Sequence, residues 1–258
     1  MTPRRRRLLI AAIALTVAAA VAPSVAWLRV FVSADDGFVS VPPWGPGFRT
    51  SSRLVAAMGR QYVRREVAET LRAALPLVAG DDRVFVVADT GYKSGGLFLP
   101  HATHREGRSV DIHIPVVDDE GRATTLSSSW WNLWGYCWHL DEGGRVAGLL
   151  WEAKPVVLPL FGKTRLCPSV AIDSDDHVDF DAVARLVAAL DVEARARGGR
   201  VKTVIVAPEF VPLILASPAG QELGALSSVF TRQPVWVRHD DHLHVDFVPF
   251  RPAAAARR

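Results

Sequence analysis

A chain of 258 residues that is 49% hydrophobic and 22% charged can bury a full core, which excludes a disordered polypeptide. The net charge of +3 is misleading, because Arg4–Arg7 hold four positive charges and the remainder carries about −1. A folded part so close to neutral argues against nucleic acid as the main partner.

Residues 1–7 are basic, and residues 8–27 are almost wholly apolar, ending Pro23-Ser-Val-Ala-Trp27. This order reads as an export signal, with Ser24 and Ala26 as the small residues of a cleavage site. About 20 apolar residues can equally span a bilayer once, leaving the arginines cytoplasmic. Residues 1–33 are therefore assigned as a signal peptide or membrane anchor. The rest is expected outside the cytoplasm, periplasmic or anchored to the outer face of the inner membrane. No cysteine follows the apolar run, so a lipoprotein anchor is excluded. Residues 34–50, with Gly37, Pro42, Pro43, Gly45, Pro46 and Gly47, read as a linker. Residues 51–250 form the expected domain, and 251–258 a tail that is disordered after Pro252.

Within the domain, Val55, Met58, Tyr62, Val63, Val67 and Leu71 recur at helical spacing and predict a helix over 52–75, with Pro76 following it. Residues 83–88 read as a buried strand, and 89–103 as a Gly- and Pro-containing loop delivering His101 and His104. A second strand is expected over 110–115, with Asp111 and His113 on one face. Asp118–Gly121 is a turn. Residues 122–170 hold Trp130, Trp131, Trp134, Trp138 and Trp151, which make either an aromatic wall beside a groove or a local core under an insertion. Cys137 and Cys167 are the only cysteines, and in an exported chain an even count predicts one disulfide, two free thiols being the alternative. Asp179 can cap a helix over 180–197 that Gly198 and Gly199 end. A strand over 201–207, a short helix over 209–215 and a last strand over 242–248 complete the chain. The mixed order predicts an α+β fold: a central, mostly antiparallel sheet of the 83–88, 110–115, 201–207 and 242–248 strands, with flanking helices.

Two segments stand out chemically. His101-Ala-Thr-His104-Arg-Glu-Gly107-Arg-Ser-Val-Asp111-Ile-His113 and His239-Asp-Asp-His242-Leu-His244 hold six of the eight histidines. Imidazole and carboxylate are the ligands Zn²⁺ takes in hydrolytic sites. Gly107 lets a turn bring His104 and Asp111 to one ion, while His242 and His244 share a strand face. Buried imidazoles and carboxylates cost free energy unless paired or metal-bound, which favours a metal site over an ordinary core. Spacing alone does not choose between His242 and His244 as ligand. Ser-x-x-Lys, Lys-Thr-Gly and His-Glu-x-x-His do not occur, so a serine acyl-enzyme is disfavoured.

The His-x6-Asp and His-x-His pair resembles the lysostaphin / D-Ala-D-Ala metallopeptidase group. Within that group, His101 and His239, each three residues before a motif, make the chain similar to the penicillin-insensitive murein endopeptidases. The resemblance covers roughly residues 80–250. It implies a Zn²⁺ cofactor in a groove across the sheet, with His104, Asp111 and His244 as ligands. It implies His242 as the group that takes a proton from water or stabilises an oxyanion, and His239 as the second candidate for that role. It places His101 in the cleft or behind a metal ligand, and it suggests that His177 helps line the cleft. Asp240 and Asp241 are candidates for orienting histidines, and Glu106 is a solvated loop charge. The partner implied is peptidoglycan, through its crosslinked stem peptides. A D,D- or L,D-carboxypeptidase of the same group and a non-catalytic zinc-containing wall-binding protein are the alternatives.

Overall fold

The computed structural model describes residues 37–52, 56–93, 95–96, 103–126, 136–149, 170–171, 174–231 and 239–250. The expected signal or anchor, the tail, His101, Cys167, Trp130, Trp131, Trp134 and Trp151 lie outside these residues. Among the described residues, no helix is long and apolar enough to cross a membrane.

The protein is mixed α+β, built on one six-stranded sheet. We number its strands β1 (Trp44–Gly45), β2 (Phe48–Thr50), β3 (Phe85–Val87), β4 (Ser109–His113), β5 (Val201–Ile205) and β6 (His242–Phe247). Their spatial order is β5-β6-β4-β3-β2-β1. All pairings are antiparallel except β2 with β3. Its helices include α1 (Arg65–Ala79), α2 (Phe180–Ala196), α3 (Phe210–Ala216) and α4 (Pro218–Glu222).

Alternation along the central strands sorts side chains between the two faces. Leu243, Val245 and Phe247 of β6 join Val110 and Ile112 of β4 in the core. Also in that core are Leu71 and Leu75 of α1 and Leu186, Val187 and Leu190 of α2. Each such fully buried aliphatic side chain contributes about 1.5–3 kcal/mol. The residues between them, Ser109, Asp111 and His113 on β4 with His242, His244 and Asp246 on β6, occupy the opposite face. Helix α2 starts as expected, with Asp179 Oδ1 accepting from the Ala182 amide at 2.9 Å.

The N-terminal third differs from expectation. The helix predicted over 52–75 is interrupted by a turn at Gly59, whose φ is +71°, and by a strand at Tyr62–Arg64 paired with Phe38–Ser40. The helix begins only at Arg65 and runs past Pro76 to Ala79. The apolar spacing continued through residues that pair as a strand, and pairing partners 24 residues away are invisible to a local period. Residues 38–50, read as part of a linker, supply strands, two of them in the main sheet. Trp138 is half-buried and packs against the core, on a strand at Trp138–Leu140.

Candidate metal centre

Register puts the two motifs side by side. His244 stands directly opposite Asp111, and His242 opposite His113. His104 enters from a 3₁₀ turn at Thr103–Glu106, just before β4. Gly107, at φ +67°, turns the chain from that helix into the strand, and its amide donates to the His104 carbonyl. A side chain at Gly107 would place its Cβ 2.4 Å from the Phe38 ring.

His104, Asp111 and His244 are all buried and form a group that can hold a metal ion. Asp111 Oδ1 lies 2.7 Å from His244 Nδ1 and 3.2 Å from His104 Nε2, and the two nitrogens are 3.2 Å apart. Ligand atoms on a tetrahedral ion with bonds of about 2.0–2.1 Å are separated by about 3.3 Å, so this spacing fits a small ion with little movement. Two imidazoles and one carboxylate suit a first-row transition metal rather than Ca²⁺ or Mg²⁺, which take oxygen. Each ligand is also held from behind. His104 Nδ1–H donates to the Thr90 carbonyl at 2.7 Å, which leaves Nε2 bare for the ion. His244 Nε2 lies 3.0 Å from Asp246 Oδ1 and 3.1 Å from Thr103 Oγ1. Ser109 in turn donates to Asp246 Oδ1 at 2.5 Å.

The charges follow. Burial lowers the His244 pKa, but its hydrogen bonds to Asp111 and Asp246 and their negative charges outweigh burial and raise it to about 10. Burial raises the Asp246 carboxyl, yet the bond and charge of His244 dominate and hold it below the usual range.

A second set of residues abuts the first. His242 Nδ1 is hydrogen-bonded to Asp241 Oδ1 at 2.6 Å, which leaves Nε2 as the nitrogen that can exchange a proton with a substrate. The His239 ring is 4.6 Å from the His242 ring and 6.3 Å from that of His244. His239 has φ +55°, an unusual backbone for a residue with a side chain. Burial, and then the charge of Asp240, push the Asp241 carboxyl well above its ordinary range. Asp240 turns elsewhere: its Oδ2 accepts from His139 Nδ1 at 3.1 Å and from the Leu140 amide at 3.0 Å. Of the two acids flagged from the sequence, Asp241 orients His242 and Asp240 orients His139.

His177 does not join this assembly. It sits on a small sheet with Val116–Val117 and Ala123–Thr124. There its Nδ1 lies 3.4 Å from the Asp175 carbonyl oxygen and 4.0 Å from an Asp119 carboxylate oxygen. Glu106 pairs with Arg108 at 2.6 Å on the surface. Cys137 is disulfide-bonded, and the one other cysteine, Cys167, lies outside the described residues.

Sequence reasoning missed several participants. Tyr136 donates through its hydroxyl to Asp111 Oδ2 at 2.8 Å and accepts from the Asp89 amide at 3.1 Å. Its ring is 4.6 Å from that of His242. Burial, with the charges of Asp111 and Asp89, pushes this phenol well above its ordinary pKa, so it stays a donor. Behind it, Arg60 grips Asp89 with two bonds of 2.9 and 2.7 Å in the interior. Asp246, two residues beyond His244, was accessible to strand periodicity. Tyr136, Asp89 and Arg60 carried no spacing signal, since the contacts Tyr136–Asp111, Arg60–Asp89 and Tyr136–Asp89 join residues 25, 29 and 47 apart in the chain. No protein-family model matches this chain, and no curated protein matches it significantly.

Proposed function

We propose that this protein is a zinc-dependent peptidoglycan hydrolase, an endopeptidase cutting D-Ala–diaminopimelate crosslinks between stem peptides. The observation that carries the reading is the pairing on one strand of two unlike imidazoles. His244 lies among buried metal-ligand donors, while His242, two residues earlier, is held by Asp241. That is the division of labour a metal-assisted hydrolase needs: a fixed ligand and a neighbouring proton carrier.

His104 Nε2, Asp111 Oδ1 and His244 Nδ1 would hold Zn²⁺ on the polar face of the sheet, in the groove that the family resemblance implies. Bound there, the ion would supply Lewis-acid polarisation of a carbonyl and lower the pKa of water. His242 takes a proton at Nε2, with Asp241 holding its ring through Nδ1, and returns it to the leaving amine. His239, its ring tilted against that of His242, is the alternative proton carrier or an oxyanion donor. The substrate class rests on the resemblance of the two motifs to penicillin-insensitive murein endopeptidases. The basic start followed by an apolar run supports action in the periplasm or at the outer face of the inner membrane, where crosslinks lie.

Crosslinked dimeric muropeptides incubated with the protein should give monomers, with or without penicillin, and none with a chelator. Penicillin acylates a serine nucleophile, and the chain has no Ser-x-x-Lys. Free D-Ala released from monomeric pentapeptide, with dimers untouched, would identify a carboxypeptidase instead. No product from either substrate while zinc is bound would identify a binding protein.

A further inference from the structure

The segment 136–140 is remote in sequence from both motifs, yet it is fastened to them at two points. Tyr136 reaches Asp111 and Asp89, and Asp240 holds His139 and the Leu140 amide. Of these contacts, only that of Tyr136 touches a ligand of the metal group.

We propose that Tyr136 is the positioning residue of the metal centre: its hydroxyl occupies Asp111 Oδ2 and thereby presents Oδ1 alone to the ion. The proposal rests on the metal reading above and assigns a residue that neither motif contains. Asp111 is fully buried on β4, so its second oxygen has no bulk water to turn to. Tyr136 meets that oxygen at 2.8 Å. The hydroxyl is itself aimed, because the Asp89 amide donates to it at 3.1 Å. The Asp89 carboxylate is clamped by Arg60, and its carbonyl accepts from the Asp111 amide at 2.9 Å. Ligand, phenol and backbone thus close a ring in which each member fixes the next. Without the hydroxyl, the Asp111 carboxylate loses a charge-assisted bond and can rotate, so that its oxygens no longer lie at the spacing seen with His104 and His244. The Tyr136 ring packs on His242, so a substitution that keeps the ring separates the two contacts.

The test is Tyr136→Phe, with zinc affinity measured by chelator competition and the metal-free fold by thermal melting. Removing an outer partner of a metal ligand typically weakens binding about 10–100-fold, and that loss is expected here with the metal-free melt unchanged. His139→Ala is the control, since it loosens the same segment without touching Asp111, and it should bind zinc within about threefold of the parent, the usual context scatter of one lost polar contact. Equal zinc affinity in Tyr136→Phe and the parent would overturn the proposal, as would an equal loss in His139→Ala. A collapse of the metal-free melt in Tyr136→Phe would make the hydroxyl a folding element and overturn it too. A parent protein that binds no zinc would sink the metal reading itself, and this inference with it.

Discussion

His244 and Asp111 are direct cross-strand partners, and their facing atoms, Nδ1 and Oδ1, lie 2.7 Å apart with His104 Nε2 3.2 Å from each. Three donors from two strands and a 3₁₀ turn therefore converge on one point. His104→Ala, Asp111→Ala and His244→Ala should each lower zinc affinity by more than about 100-fold, beyond the usual loss for an outer partner. Elemental analysis after dialysis checks this, and full zinc retention in any of the three would remove that residue from the ligand set.

The same pair predicts a pH response. With His244 raised to about 10, its paired form stabilises the metal-free protein fully below about 6.5, the pKa expected when unfolded, and that stabilisation is lost as pH rises through about 10. Zinc must displace the Nδ1 proton, so between about pH 7 and 9 binding should release a proton and tighten as pH rises. Calorimetric titrations in buffers of different ionisation enthalpy measure that proton. A binding enthalpy that does not vary with buffer would contradict the assignment.

His242 is held by Asp241 rather than by the ligand group. His242→Ala should therefore keep zinc while turnover on muropeptide dimers falls by about 10²–10⁴, the scale of a lost proton carrier. If this variant loses zinc and His244→Ala retains it, the two roles are reversed.

Arg60 and Asp89 form a buried pair, with side chains 8% and 1% exposed. Breaking such a pair from one side leaves an uncompensated charge and costs about 3–5 kcal/mol, so Asp89→Ala should unfold in markedly less denaturant than the parent. An apolar replacement of both residues should recover much of the loss. A single-variant cost below about 1 kcal/mol would show that the pair is not holding the site's foundation.

Gly107 turns the chain between His104 and Asp111 at φ +67°, against the Phe38 ring. Gly107→Ala should destabilise the protein by about 1–3 kcal/mol and weaken zinc binding, because both the strain and the contact fall on the turn that aims His104. Chemical denaturation and zinc titration of this variant measure the two effects. A variant as stable as the parent would show that the turn is not under this constraint.

Features that depend on local order are legible in the amino-acid sequence. Alternation of His242, His244 and Asp246 with Leu243, Val245 and Phe247 already sorts a polar face from a core face, because side chains on a strand repeat every two residues. Asp179 as a helix cap and Gly107 as a turn were legible for the same reason: each acts on neighbours within a few residues. Tertiary structure alone decided the rest. Which carboxylate serves which histidine depends on a register that joins residues 133 apart, as His244 meets Asp111. The Tyr136 hydroxyl on Asp111 and the Arg60–Asp89 pair beneath it depend on how separate segments stack. The break of the expected first helix at Gly59 had the same origin, since Tyr62–Arg64 gains more from pairing with Phe38–Ser40 than its helical spacing could reveal. Such contacts leave no period in the chain, because their partners are chosen by packing in three dimensions and not by distance along the sequence.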